Sequence, residues 1–186
     1  MDISTALSLD LKNLLRVLEF PDRDIERSLR ALRFDVALAV PTFVGLSMTL
    51  VVEGQPVTLT SMDDEALDAA VGSSLSLPLT LTSQFAAGSE LVLYATAPGA
   101  FVDLAADLQY ALRAADNELT LDRHLARTPR SGIVGVEELS LINRALGVLV
   151  GGGRTFAEAR AQLQLEARQA NLPPSLVAAY LISTTE

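Results

Sequence analysis

His124 is the only histidine in the chain, and there is no cysteine. A Ser-His-Asp relay therefore has a single candidate base, a multi-histidine metal centre has too few ligands, and thiolate nucleophiles, disulfides and cysteine-bound metals are all excluded. The surrounding Leu121-Asp122-Arg123-His124-Leu125 predicts a partly solvated imidazole near the end of a long helical pattern. Aspartates and serines are scattered, with no spacing that would converge a nucleophile, a base and an oxyanion hole. The residues thus point away from an enzyme, and no cofactor or metal is expected. Gly151-Gly152-Gly153 follows a helical pattern and lacks a lysine, so it reads as a helix end with a flexible turn rather than a phosphate loop.

Charge narrows the partners. The formal net charge is -9 at pH 7, which repels phosphate backbones as a whole, so nucleic-acid binding requires a local basic face set against the global field. Arg23, Arg27 and Arg30 share one helix face and could hold an anion, but Asp24 and Glu26 are interleaved with them, which favours a salt-bridged surface. No apolar run escapes Gly, Pro or charge for long enough to span a bilayer, and Met1-Asp2-Ile3-Ser4 lacks the basic start of a signal peptide. These features predict a soluble, cytoplasmic protein with no membrane partner.

The elements that must position any site follow from periodicity. Leu7, Leu11, Leu14, Leu15 and Leu18 make residues 4–20 an amphipathic helix that Pro21 interrupts. Asp22 and Asp24 suit the start of a second helix, whose expected buried side runs through Ile25, Leu29, Leu32 and Phe34. After Pro41 the period changes to two: residues 43–52 and 56–60 form a hairpin about Gly54-Gln55. Met62-Asp63-Asp64-Glu65 predicts a short helix ending near Gly72, followed by strands over 74–81 and 90–95. Pro78 cannot donate to a ladder, which predicts an edge or a bulge there. Residues 100–127 read as helical, with Phe101, Leu104, Leu108, Ala111 and Leu119 apolar.

A small antiparallel sheet flanked by helices is an α+β domain. Leu46 to Thr60, Ser76-Leu77-Pro78-Leu79, and above all Leu91-Val92-Leu93-Tyr94-Ala95-Thr96-Ala97-Pro98-Gly99-Ala100-Phe101 resemble the strands and strand-to-helix junction of a GAF domain, a sensory module that binds small ligands. Only residues 61–72 join the second strand to the third, where the family carries elements that cover the ligand. The apolar interior is therefore read as a filled core, with a small-molecule ligand as the alternative.

Thr128-Pro129-Arg130-Ser131-Gly132 reads as a linker, which gives a domain over 1–127, a linker over 128–136 and a helical module over 137–186. In the module, Leu139, Ile142, Leu146 and Leu149 form a narrow stripe suited to pairing with another helix. Thr155-Phe156-Ala157-Glu158 fits a capping box, and the next stripe is Phe156, Ala159, Leu163 and Ala170. Asn171-Leu172-Pro173-Pro174 breaks the chain, Pro174 suits a first helical turn, and Leu176, Val177, Tyr180 and Leu181 give the last helix its buried side.

Ala145, Gly147, Val148-Leu149-Val150, Ala157-Glu158-Ala159, Asn171 and Val177-Ala178, in that order, resemble an ANTAR domain, a three-helix RNA-binding module of antitermination regulators. The resemblance implies a GAF-ANTAR regulator that binds structured RNA as a homodimer, or as a heterodimer with a related regulator. Arg144, Arg154, Arg168 and Asn171 are the implied RNA contacts, and Leu139, Ile142, Leu146 and Leu149 the dimer seam. Two departures bear on that role: Leu146 stands where the family has lysine before the glycine, and Leu172-Pro173 where a basic residue follows the asparagine. From Gly132 onward, Arg144, Arg154, Arg160 and Arg168 face Glu137, Glu138, Glu158, Glu166 and Glu186, so the module is nearly neutral. With Phe156 and Tyr180 on expected buried stripes, stacking on bases would not compensate. The alternative is a regulatory or protein-interaction subunit that keeps the fold and has lost RNA binding.

Overall fold

The computed structural model describes Leu9 and residues 25–63, 70–81, 85–115, 118–125 and 129–184. Arg23, the expected helix over 4–20 (Leu9 apart) and residues 64–69 of the short helix expected from Met62 to near Gly72 lie outside the described residues; Met62 itself ends β2. The order is α1 (Ile25–Ala39), β1 (Phe43–Val52), β2 (Gln55–Met62), β3 (Ser73–Pro78), β4 (Glu90–Ala95), α2 (Val102–Leu112), β5 (Thr120–Leu121), β6 (Gly132–Val134), α3 (Val136–Gly151), α4 (Phe156–Ala170) and α5 (Pro174–Ser183). The fold is α+β, with one small antiparallel sheet in the order β5-β3-β4-β1-β2-β6 and three consecutive helices after it. Among the described residues, no helix is long and apolar enough to cross a membrane. Two compact units divide the chain: one runs to Leu50 and resumes over Thr58–Gly132, and the other combines Val51–Val57 with the residues from Ile133 onward.

In the first unit, alternation along the strands sends successive side chains to opposite faces. Leu46 and Met48 of β1, Leu75 and Leu77 of β3, and Leu91 and Leu93 of β4 meet Leu32 and Val36 of α1 and Phe101, Leu104 and Leu108 near α2 in one core. Each large apolar side chain buried there contributes about 1.5–3 kcal/mol relative to exposure. The other face carries hydroxyls that satisfy one another or the backbone. Ser47 and Thr60 hydroxyls lie 2.9 Å apart, as do those of Thr49 and Thr58, and Ser73 Oγ donates to the Ala97 carbonyl at 2.8 Å. Tyr94, with Met62 and Val92, is buried on this face, and desolvation pushes its phenol above the ordinary tyrosine value against the opposing effect of the Ser47 hydroxyl. Arg33 of α1 locks the edge of β2, donating to the Ser61 carbonyl at 2.6 Å and to Ser61 Oγ at 2.7 Å, pairing with Asp63 and stacking over Phe43 at 5.9 Å.

Several local expectations change. The inward positions of α1 are Leu29, Leu32 and Val36, at steps of three and four, continued by buried Val40 just past its end; Phe34 falls on the opposite side and is 64% exposed. The hairpin turns at Glu53-Gly54, one residue earlier than expected, with φ of 54° and 80°, the double positive φ of a type I′ turn. Pro78 marks a local edge, not a bulge: among the described residues β5 pairs only with Leu75 and Ser76 of β3, which leaves that side of the ladder open at Pro78. It is the last residue of β3, paired with Glu90, and the chain leaves the strand in a single 3-10 turn over Leu79–Leu81. The irregularity lies instead in β1 between Phe43 and Gly45. The helix expected over 100–127 stops at Leu112, where Arg113 adopts the left-handed conformation and its amide turns back to Gln109 and Tyr110 carbonyls. Thr120 and Leu121 then pair with Ser76 and Leu75 as β5, so His124 follows a strand rather than ending a helix. Within the segment expected as a linker, Gly132–Val134 adds β6 to the sheet.

The second unit is held by a core of Ile142, Ala145, Leu146 and Leu149 from α3, Ala159, Leu163 and Ala167 from α4, and Val177 and Ala178 from α5. Fully buried Ala145, Ala159 and Ala178, one on each helix, let the three backbones approach closely. Gly135 caps α3 at φ 92°, and a Cβ there would lie 2.2 Å from the Pro56 carbonyl oxygen of the hairpin tip. Gly152 and Gly153 end α3 as the glycine triplet predicts. Thr155 and Glu158 form the expected capping box: the Glu158 amide donates to Thr155 Oγ at 3.3 Å, and the Thr155 amide donates to Glu158 Oε2 at 2.9 Å. Pro174 opens α5.

Candidate functional site

The helical unit carries a groove of about 550 Å³ that gathers residues implied as RNA contacts. Gln164 and Arg168 stand one turn apart on α4 and line one side. Asn171 follows at the helix end with φ 53°, the left-handed conformation that asparagine tolerates and that lets its amide close the last turn onto Ala167 and Arg168 carbonyls. Leu172 and Pro173 give the groove an apolar wall, and Glu53 and Gly54 of the hairpin tip border it. Two local features therefore shape the site: a helix ending on an αL asparagine and a tight turn with a glutamate at positive φ.

Electrostatics in the groove are asymmetric. Glu53 is largely buried and lies 2.5 Å from the Arg160 Nε, an ion pair in which Glu53 Oε2 has no aligned hydrogen bond. That pair neutralises itself. Arg168 is exposed and has no ion pair among the described residues, so the groove presents one uncompensated guanidinium beside two carboxamides. Arg168 also sits in the last turn of α4, where a cation complements the partial negative charge of the helix end.

Of the four residues implied as RNA contacts, Arg168 and Asn171 meet in this groove. Arg144 is exposed on the outer side of α3, likewise with no ion pair among the described residues. Arg154 is exposed between α3 and α4, close enough to Glu158 to help hold its carboxyl below the usual glutamate range, behind the larger contributions of the Thr155 amide and hydroxyl. The expected dimer seam has a different use: Ile142, Leu146 and Leu149 are buried in the unit's own core and Leu139 is half-buried. A two-helix stripe in sequence cannot distinguish a partner helix in another chain from one a few turns later in the same chain, and here α4 and α5 supply the cover.

A second correction concerns aromatics. Phe156 is 56% exposed and Tyr180 69% exposed, and Leu172 and Leu176 are exposed as well. The reason is positional. Ala159, Leu163 and Ala167 keep the inward side of α4 at steps of four, and Val177 and Ala178 that of α5, which turns Phe156 and Tyr180 outward.

In the sheet unit, His124 Nε2 is buried without a hydrogen-bond partner, 3.8 Å from Glu90 Oε2, the oxygen to which Ser76 Oγ donates at 2.8 Å. The carboxylate thus stands between serine and histidine, whereas a nucleophilic relay needs the imidazole between serine and carboxylate. The His124 backbone amide donates to Ser74 Oγ at 3.2 Å, and Asp122 Oδ1 accepts from the Ser74 amide at 3.0 Å, so this corner fastens β5 to β3. Among the described residues, no group of three or more acidic or histidine side chains could hold a metal ion. The groove as a whole is not legible in the sequence because its second wall comes from a hairpin about a hundred residues earlier; Gly54 signals the turn but not what the turn approaches. No family model, curated protein or solved structure matches the chain.

Proposed function

We infer that the chain is a transcription regulator of the antitermination type, a cytoplasmic protein whose GAF-like sheet unit accompanies an ANTAR-like helical unit that binds structured RNA. The carrying observation is the distribution of charge in the helical unit. With Glu53 of the hairpin segment the unit has four arginines against six glutamates, but the charge is divided: Glu53 is matched by Arg160 and Glu158 is shared between the capping box and Arg154, while Arg144 and Arg168 are exposed and have no ion pair among the described residues. Phosphate contacts depend on such local cations more than on net charge. Exposed Phe156 and Tyr180 add faces on which unstacked loop bases can pack, which removes one objection raised by the sequence alone.

A second reading, a protein-interaction or regulatory subunit without RNA affinity, is favoured by the exposure of Leu172 and Leu176 on the same unit. A homodimer, or a heterodimer with a related regulator, would then form through such outward apolar residues and not through the buried α3 stripe. A salt titration of RNA-hairpin binding separates the two. RNA binding predicts affinity that falls steeply with salt, with Arg144→Ala lowering the slope of log K against log salt by about one. A folded, dimeric protein that binds no hairpin at low salt establishes the second reading instead.

A further inference from the structure

We propose that the groove of Glu53, Gln164, Arg168, Asn171, Leu172 and Pro173 is a pocket for a single unstacked nucleotide. The proposal rests on the RNA-binding reading for the source of that nucleotide, but the pocket's chemistry is argued from the groove itself.

A nucleotide presents three unlike surfaces: a phosphate, a flat π-face and a hydrogen-bonding base edge. The groove offers a partner for each. Arg168 is exposed, carries no ion pair among the described residues and has the planar donor geometry that suits phosphate oxygens. Leu172 and Pro173 form an apolar wall against which a ring can lie. Gln164 and Asn171 each carry a donor and an acceptor in one plane, the pattern that reads a base edge, and Glu53 offers acceptors only. An acceptor-only carboxylate at the pocket favours a base with an exocyclic amine on its pairing edge, adenine, cytosine or guanine, over uracil, which has none. The volume of about 550 Å³ lies within the range of small-ligand sites.

The backbone adds an independent sign. Glu53 adopts φ 54° and Asn171 φ 53°, two non-glycine residues at positive φ bordering the same groove. Such conformations cost free energy and persist where the surroundings fix them, which happens disproportionately at binding sites. Glycine would serve either turn with less strain, so the side chains at these two places need a further reason. Asparagine is a common enough substitute at a helix end. Glutamate at the first centre of a type I′ turn is not, and its carboxylate is spent on holding Arg160 and bordering the pocket.

The test titrates the full chain with RNA hairpins whose single-stranded loops are rich in adenine, cytosine or uracil, and separately with the corresponding nucleoside monophosphates. Asn171→Gly keeps the left-handed helix end while deleting the carboxamide, and Arg168→Ala deletes the cation; helix content and melting temperature are checked for both. The pocket is supported if Asn171→Gly weakens hairpin binding about ten-fold, abolishes the preference for adenine or cytosine over uracil and leaves the salt slope unchanged, while Arg168→Ala lowers that slope by about one. Hairpin binding that is unchanged in both variants overturns the pocket and leaves the RNA reading standing. A chain that binds no hairpin but binds AMP or CMP, with binding lost in Asn171→Gly, keeps the pocket and overturns the RNA reading. Binding of neither ligand overturns both. Should Arg168→Ala fail to fold, Asn171→Gly alone decides.

Discussion

The two units of the chain differ in how their cores are packed and in how far their charged groups are paired. In the sheet unit, hydroxyls on the second face pair with each other, Arg33 is engaged by Ser61 and Asp63, and the core contains fully buried Phe101, Leu46, Leu75, Leu91 and Leu93. The helical unit has a core with three fully buried alanines and leaves Phe156, Leu172, Leu176, Tyr180, Arg144 and Arg168 exposed. Satisfied polar groups and dense packing stabilise, whereas exposed cations and outward aromatics contribute little to folding and are available to a ligand. Phe34 and Tyr110 of the first unit are exposed too, so the contrast lies in the cores and in the paired polar groups; the proposed function places recognition in the second unit. Substitutions that move stability in one unit and binding in the other can break that assignment.

The largest effect is expected from Phe101→Ala. Phe101 is fully buried between sheet and helix, and deleting its ring leaves a cavity as well as losing transfer free energy, about 3–5 kcal/mol in all. Denaturant unfolding should show that loss. A change below about 1 kcal/mol would mean that the core tolerates or refills the space, against the close packing described above.

Gly135→Ala probes the join between the hairpin tip and α3 within the helical unit. The new methyl would meet the Pro56 carbonyl oxygen at 2.2 Å, on a backbone at φ 92° that L-residues rarely adopt. Strain and steric overlap together should cost about 1–3 kcal/mol, read as a lower thermal midpoint. If the groove depends on the hairpin tip, the same variant should also weaken whatever the groove binds. An unchanged midpoint would show that Gly135 is not held against Pro56.

How far the sequence discloses this molecule depends on whether the deciding neighbour is near in the chain. Local signals are legible: Thr155 and Glu158 are three residues apart and form their box, Pro174 opens a helix, and the glycine triplet closes one. The alternating strands around residues 43–60 and 90–95 are legible for the same reason. Leu139, Ile142, Leu146 and Leu149 show where the limit lies, since periodicity marks a face for burial without saying which surface buries it. Phe156 and Tyr180 fail for a related reason: a small alanine-lined core fills its inward positions with Ala159, Ala167 and Ala178, so the bulkiest side chain on a helix is not the inward one. The end of α2 at Leu112 was hidden because Arg113 takes a left-handed conformation that no glycine or proline announces. The groove was half legible. Arg168 and Asn171 were singled out, but their partner Glu53 belongs to a hairpin whose approach depends on tertiary structure.

Gly147→Ala should have the opposite sign. Gly147 lies within α3, is exposed, and a Cβ there would meet nothing within 4 Å. Replacing a mid-helix glycine with alanine should stabilise by about 0.5–1 kcal/mol, because the unfolded chain loses conformational freedom. Among the described residues, nothing requires the glycine. If the helical unit is the recognition unit, a loss of RNA or partner binding that accompanies the higher melting temperature would identify this surface as a place of close approach. Stabilisation with binding unchanged would confine recognition to other faces, the groove among them.

The smallest effect concerns pH and sharpens the status of Arg154. The Glu158 carboxyl is held below the ordinary glutamate value first by the Thr155 backbone amide, then by the Thr155 hydroxyl, with Arg154 adding a smaller pull. A carboxyl lowered in the folded state contributes stability that is present above the unfolded value and is lost as pH falls through the folded one. Acidification below the ordinary glutamate range should therefore loosen the start of α4. The contribution is small because Glu158 is fully exposed and screened by solvent. Glu158→Gln keeps an oxygen for the Thr155 amide, so it should preserve the helix start at neutral pH and flatten the acid limb of the melting temperature. Arg154→Ala should leave most of the lowering in place, since the amide and hydroxyl dominate it, and a carbon-detected NMR titration of the Glu158 carboxyl measures this directly. If Arg154→Ala instead returns that carboxyl to its ordinary value, Arg154 is committed to Glu158 and is not free for phosphate, which would leave Arg144 and Arg168 as the cations available to RNA.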